Sequence, residues 1–139
     1  RYMTDFPNTT TAGAKGVIVT PHLGASTEEA EENCARMAVK EVRCYLEHGN
    51  IQHSVNYPDC EMGVCQETCR IAINHRNIKN MIGQFTTLFG EADINIAKML
   101  NKSKGNYAYS LFDLENHPSE AVLESLKKID GVLKVRILK

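Results

Sequence analysis

Apolar side chains recur at three- and four-residue spacing from Ala30 through Cys34, Met37, Ala38, Val42, Tyr45 and Leu46. Glu31, Glu32, Arg36, Lys40 and Arg43 fall on the opposite side. This is the period of an amphipathic helix of about five turns. Ser26-Thr27-Glu28-Glu29 has capping-box spacing, with Ser26 as the cap and Glu29 reaching back, and Gly49 supplies a left-handed stop. Ahead of the helix, Val17-Ile18-Val19 is a β-branched run closed by Thr20-Pro21. Such a run predicts a short buried strand ending where proline forbids continuation.

Residues 50–68 show no period and mix Pro58, Gly63 and acidic side chains, which predicts a linker and a domain boundary near residues 60–68. The pattern resumes at Cys69-Arg70-Ile71-Ala72-Ile73-Asn74, which reads as a strand. Met81, Ile82, Phe85, Leu88, Phe89 and Ala92 return to helical period, and a strand carrying Ile94 and Ile96 follows. Lys102 to Asn106 reads as a turn before the strand Tyr107–Phe112, so these two strands form an antiparallel hairpin. Pro118 is expected in the first turn of a second helix carrying Val122, Leu126 and Ile129, stopped by Gly131 before a last strand, Val132–Leu138. The expected class is α+β, with a split βαββαβ arrangement in residues 69–139: an antiparallel sheet with two helices on one face. A unit this small buries only about 60% of its unfolded surface, so pairing with a second copy would complete its core.

Composition narrows the possibilities. The 139 residues are 42% hydrophobic and 24% charged, which excludes a disordered or fibrous chain. Sixteen basic against 17 acidic side chains leave a charge of −1, so neither nucleic acid nor an anionic membrane surface is an expected partner. The opening Arg1-Tyr2-Met3-Thr4 has neither an initiator Met nor a signal-peptide core, so the chain reads as part of a longer protein. Five cysteines are an odd number, and reduced thiols in a cytoplasmic protein fit better than a disulfide framework. Cys60, Cys65 and Cys69, with His75 nearby, are spaced C-x4-C and C-x3-C rather than in tight C-x2-C pairs, so no metal site is expected.

His22, between the short strand and the long helix, is the candidate for acid–base chemistry, because imidazole both accepts and returns a proton near neutral pH. The block Thr20-Pro21-His22-Leu23-Gly24-Ala25-Ser26-Thr27-Glu28-Glu29-Ala30 resembles the NAD-dependent D-isomer 2-hydroxyacid dehydrogenases. Gly49-Asn50-Ile51 and Ser54-Val55-Asn56-Tyr57-Pro58 look like that family's exit from its catalytic region, and residues 69–139 resemble the ACT domain that ends many of its members. The resemblance implies that residues 1–60 close a Rossmann-like catalytic and NAD-binding region, that residues 61–68 link, and that residues 69–139 regulate. It points to the branch that oxidises 3-phosphoglycerate to 3-phosphohydroxypyruvate, the first step of L-serine biosynthesis.

On that resemblance His22 takes the hydroxyl proton. Backbone around Leu23, Gly24 and Ala25 lies against the nicotinamide, with Gly24 permitting close approach. Asp5, in Thr4-Asp5-Phe6-Pro7, corresponds to an Asp that contacts the nicotinamide amide. The family's Glu that partners the His is missing, since Asn8-Thr9-Thr10-Thr11 stands there. No G-x-G-x-x-G occurs, so this segment is not expected to hold NAD well or to turn over alone. His75-Arg76-Asn77 and Asn95-Ile96-Ala97 match the effector loop of serine-sensitive members. There L-serine or another small amino acid sits between two copies of a homodimer or tetramer, with His75 and Asn77 from one copy and Asn95 from its mate. Lys79-Asn80 replaces that loop's Pro-Gly, and Asn80 is expected to cap the following helix. The rival reading is a non-catalytic amino-acid-sensing or dimerisation module. His22 and its helix tell against it.

Overall fold

A computed structural model describes residues 1–138 and separates into two compact units, residues 1–40 and residues 41–139. In the first unit, β1 (Tyr2–Thr4) and β2 (Val17–Val19) pair in parallel, with Tyr2 opposite Val17 and Thr4 opposite Val19. The loop between them turns on Asn8, whose Oδ1 accepts from the backbone N–H of Thr10 at 3.0 Å and of Thr11 at 2.9 Å. Helix α1 (Glu28–His48) follows. Its cap is Thr27 rather than Ser26: Thr27 Oγ1 accepts from Ala30 N at 3.1 Å. Starting one residue later puts Ala30 where the box needs an acidic side chain, so the reciprocal bond from Glu29 is lost. Glu28, Glu29 and Glu31 still place negative charge at the positive end of the helix dipole.

The second unit is built around a four-stranded antiparallel sheet in the order β4-β5-β3-β6. Its strands are β3 (Cys69–Arg76), β4 (Ile96–Lys104), β5 (Tyr107–Leu114) and β6 (Val132–Ile137). Helices α2 (Met81–Glu91) and α3 (Glu120–Lys128) cover one face, completing the expected βαββαβ order. The core between sheet and helices holds Ile71, Ile73, Phe85, Phe89, Phe112, Leu114 and Leu126. Phe112 meets Phe85 and Phe89 edge-on, with ring centroids 5.9 and 5.3 Å apart.

Three local expectations change. The turn expected over residues 102–106 shrinks to Gly105-Asn106, because Lys102, Ser103 and Lys104 are polar members of an exposed edge strand, not of a turn. Pro118 lies just outside α3, whose cap is Ser119, with Oγ accepting from Val122 N at 3.4 Å. Asn80 occupies the cap position of α2 with φ +64° and makes no capping bond. An effective cap needs extended backbone to swing its oxygen over the first turn.

The other face of the sheet is covered by the segment that the sequence presents as a linker. Ile51 and Cys60 bridge each other through N–H···O bonds of 2.8 and 2.9 Å and pack with Ala72, Tyr109 and Leu111. Residues 61–68 therefore lie inside the second compact unit, with Cys65 buried. Their few inward side chains are separated by local turns, so no period marks them. Gly49 does end α1 in left-handed backbone at φ +73°, where a Cβ would also collide with Leu138 and Leu111. Among the described residues no helix is long and apolar enough to cross a membrane.

Candidate active site and effector residues

Parallel pairing of β1 and β2 sends both chain segments out at the same end, which brings Asp5 and His22 together. His22 Nδ1 donates to Asp5 Oδ2 at 3.0 Å. A carboxylate only accepts, so the bond fixes the proton on Nδ1 and leaves Nε2 as the acceptor of the neutral ring. Phe6 meets the imidazole edge-on at 5.2 Å, holding it from one side. Both members of the pair are more than half exposed.

Asp5, expected at a nicotinamide amide, thus has one oxygen on the imidazole. Leu23 is exposed, and the space where a Gly24 Cβ would stand is open. This loop fits one wall of a nicotinamide site, an apolar side chain and bare backbone beside a proton acceptor, and not a closed cradle.

The three expected effector residues do not converge within one chain. His75 is buried against Phe85: Nδ1 donates to Arg76 O at 2.9 Å, and Nε2 lies 2.9 Å from Ser110 Oγ. Asn77 is exposed and donates from Nδ2 to Gly105 O at 3.1 Å. Asn95, also exposed, donates to Glu115 Oε1 at 2.8 Å. Both keep their amide oxygens available.

Sequence reasoning missed the most heavily bonded polar group of the second unit. Arg70 lies opposite Asp113 in the β3–β5 register, and both side chains are inaccessible to water. Nε and Nη2 of Arg70 donate to Asp113 at 2.5 and 2.8 Å, while Nη1 donates to the carbonyls of Gly63 at 2.6 Å and His48 at 3.0 Å. The hydrogen bonds it donates to Asp113 raise the guanidinium pKa, so it is charged. A legible signal existed: single opposite charges inside the apolar runs Cys69–Ile73 and Leu111–Leu114.

Comparison with known proteins covers most of this chain. The chain is 32% identical over 122 residues to D-3-phosphoglycerate dehydrogenase of Haemophilus influenzae, a match covering 88% of this chain and 30% of that protein. A putative D-3-phosphoglycerate dehydrogenase of Schizosaccharomyces pombe is 30% identical over 131 residues, and the Escherichia coli K12 enzyme 27% over 124. The chain is a relative of the D-3-phosphoglycerate dehydrogenases. It spans about 30% of the length of these relatives, as expected of a C-terminal part. No protein-family model matches. Two solved structures of the ACT domain from GTP pyrophosphokinase of Chlorobium tepidum resemble it at TM-scores of 0.45 and 0.43, with 20% and 23% identity over 50% and 51% of this chain.

Proposed function

We propose that residues 1–60 close the catalytic and NAD-binding region of an NAD-dependent D-3-phosphoglycerate dehydrogenase and that residues 69–139 are its ACT regulatory domain. The observation that carries this reading is the Asp5–His22 hydrogen bond at the open end of a parallel strand pair. Parallel strands are ordinarily covered on both faces, whereas Tyr2, Met3, Ile18 and Val19 are exposed here. The rest of a catalytic region would cover them.

In the oxidation, NAD supplies the hydride acceptor for the hydrogen on C2 of 3-phosphoglycerate. His22 Nε2 takes the C2 hydroxyl proton as the C–O bond becomes a carbonyl, giving 3-phosphohydroxypyruvate. Asp5 holds the tautomer and stabilises the imidazolium that results, the role for which no Glu follows it. Leu23, Gly24 and Ala25 would line the nicotinamide side of the site when NAD is bound. Turnover is assigned to the full-length enzyme, since no G-x-G-x-x-G occurs in these residues.

The ACT region is read as the site where L-serine or another small amino acid binds between two copies of a homo-oligomer. Asn77 and the mate's Asn95 offer amide oxygens to the ammonium group, and buried His75 supports the loop. The deciding experiment is steady-state kinetics of the full-length enzyme. His22→Ala should lower kcat by about 10²–10⁴-fold, the usual worth of a general base. Asp5→Asn should lower kcat less and leave the KM for NAD near its original value. An undiminished kcat in His22→Ala would overturn the catalytic reading and leave an amino-acid-sensing module in its place.

A further inference from the structure

The end of the sheet at the β4–β5 turn carries a cleft of about 370 Å³ lined by Arg76, Asn77, Ile78, Asn106 and Tyr107. Backbone bonds fix its walls: Arg76 N donates to Gly131 O at 2.7 Å, and Asn77 N donates to Asn106 O at 2.9 Å. The Asn77 side chain adds a bond from Nδ2 to Gly105 O at 3.1 Å. A carbonyl only accepts, so this bond holds the amide nitrogen on the turn and leaves Oδ1 as a free acceptor. The other arginines of the second unit are engaged within the fold: Arg43 on Glu47, Arg70 on Asp113, and Arg136 on the end of α1. The Arg76 guanidinium is exposed and has no partner among the described residues.

No Asp or Glu lines the cleft, so the guanidinium is the one charge among its lining residues. A planar fork of N–H donors matches a carboxylate through two parallel bonds, and a single cation balances a monoanion rather than a phosphate dianion. Asn77 Oδ1, an acceptor on the next residue, suits an ammonium group. Donor fork and acceptor together are the complement of a zwitterion. Ile78 and Tyr107, each about half exposed, leave room for a small side chain. We propose that this cleft takes a small α-amino acid, its carboxylate on the Arg76 guanidinium and its ammonium on Asn77 Oδ1, an assignment that rests on the effector reading of Asn77 and supplies the cation which that reading lacks.

The test titrates the full chain with L-serine, L-serinamide and 3-hydroxypropionate, following amide shifts by NMR. L-Serine should shift resonances of Arg76, Asn77 and Tyr107 and bind roughly tenfold tighter than either analogue, one lacking the carboxylate and the other the ammonium. Arg76→Gln should weaken L-serine by about the same factor, leave L-serinamide as it was, and keep the Tm, because Arg76 has no partner in the fold to lose. Arg76→Lys, which keeps the charge without the fork, should fall in between. No binding of L-serine, equal binding of L-serinamide, or unchanged L-serine affinity in Arg76→Gln would each overturn the proposal. So would a loss in Arg76→Gln that extends to L-serinamide or comes with a lower Tm, since the effect would then be structural. If Asn95→Ala leaves L-serine binding intact while Arg76→Gln weakens it, this site stands and the reading of an effector held between two copies falls.

Discussion

Replacing Arg70 with methionine tests how the second unit is held together. The substitution keeps most of the side-chain volume but removes the donors of four hydrogen bonds, two to Asp113 and one each to the carbonyls of Gly63 and His48. Asp113 is left buried with no counter-charge, at 1% exposure. Breaking a buried pair from one side costs about 3–5 kcal/mol, mainly because the remaining charge stays desolvated. Against a total of about 5–15 kcal/mol for a domain, that is a large fraction. For a unit of this size each kcal/mol moves Tm by about 4–8 °C, so a fall of at least ~12 °C is expected.

Urea unfolding followed by circular dichroism reads the loss as a lower midpoint at unchanged slope. The paired variant Arg70→Met/Asp113→Leu separates charge burial from packing. It should recover part of the loss, since no unpaired charge remains, but not all of it, because the two carbonyls still lack donors. A loss below about 1 kcal/mol in the single variant would refute the reasoning, since exposed pairs are worth that much. So would a double variant no more stable than the single one.

Two further outcomes follow from other groups. The Glu41 hydrogen bond raises the His53 pKa, with Asp59 adding a smaller push. The pair therefore contributes fully at pH values below the unfolded pKa of His53 and loses its contribution as pH rises through the higher folded value. An NMR titration should show a midpoint above that of a free imidazole, moving down in Glu41→Gln; a midpoint at or below the ordinary value would refute this. Burial pushes the thiols of Cys60 and Cys69 up to about 11, whereas Cys34 is exposed. A disulfide reagent at pH 8 should label Cys34 at once and Cys60 and Cys69 only on unfolding; prompt labelling of either buried thiol in the native chain would contradict their placement.

The elements themselves were legible because their periods are clean. Helix α1 ends at Gly49, α2 carries its apolar stripe, and Val17–Val19 is a strand, as local pattern and stop signals require, but not the buried one expected: Ile18 and Val19 are exposed. What stayed hidden depends on partners far along the chain. Residues 50–68 look like a linker because their buried apolar side chains, Ile51, Cys60 and Cys65, recur at no regular spacing, and the covering of the sheet by Ile51 and Cys60 depends on Ala72, Tyr109 and Leu111. His22 was legible as a candidate, but its partner was not: Asp5 lies 17 residues away and reaches it only through the β1–β2 pairing. His75 looked like a loop ligand from its neighbours, yet strand alternation turns it inward onto Phe85.

The end of α1 shows why polar groups, rather than the apolar stripe, decide what this helix is attached to. A helix leaves four carbonyls without intrahelical partners at its C-terminus. Here Arg136 Nη2 donates to Leu46 O at 3.1 Å, Arg70 Nη1 to His48 O at 3.0 Å, and the Tyr109 hydroxyl to Gly49 O at 2.8 Å. Three strands each contribute one donor, and the two guanidinium groups also meet the negative end of the helix dipole. Arg136 stacks on Tyr45 as well, 4.4 Å from the ring centre. Burial of Val42 and Leu46, by contrast, contributes little, since both remain more than half exposed. The attachment of the last turn to the sheet is thus specific in direction and register, which apolar contact alone would not make it.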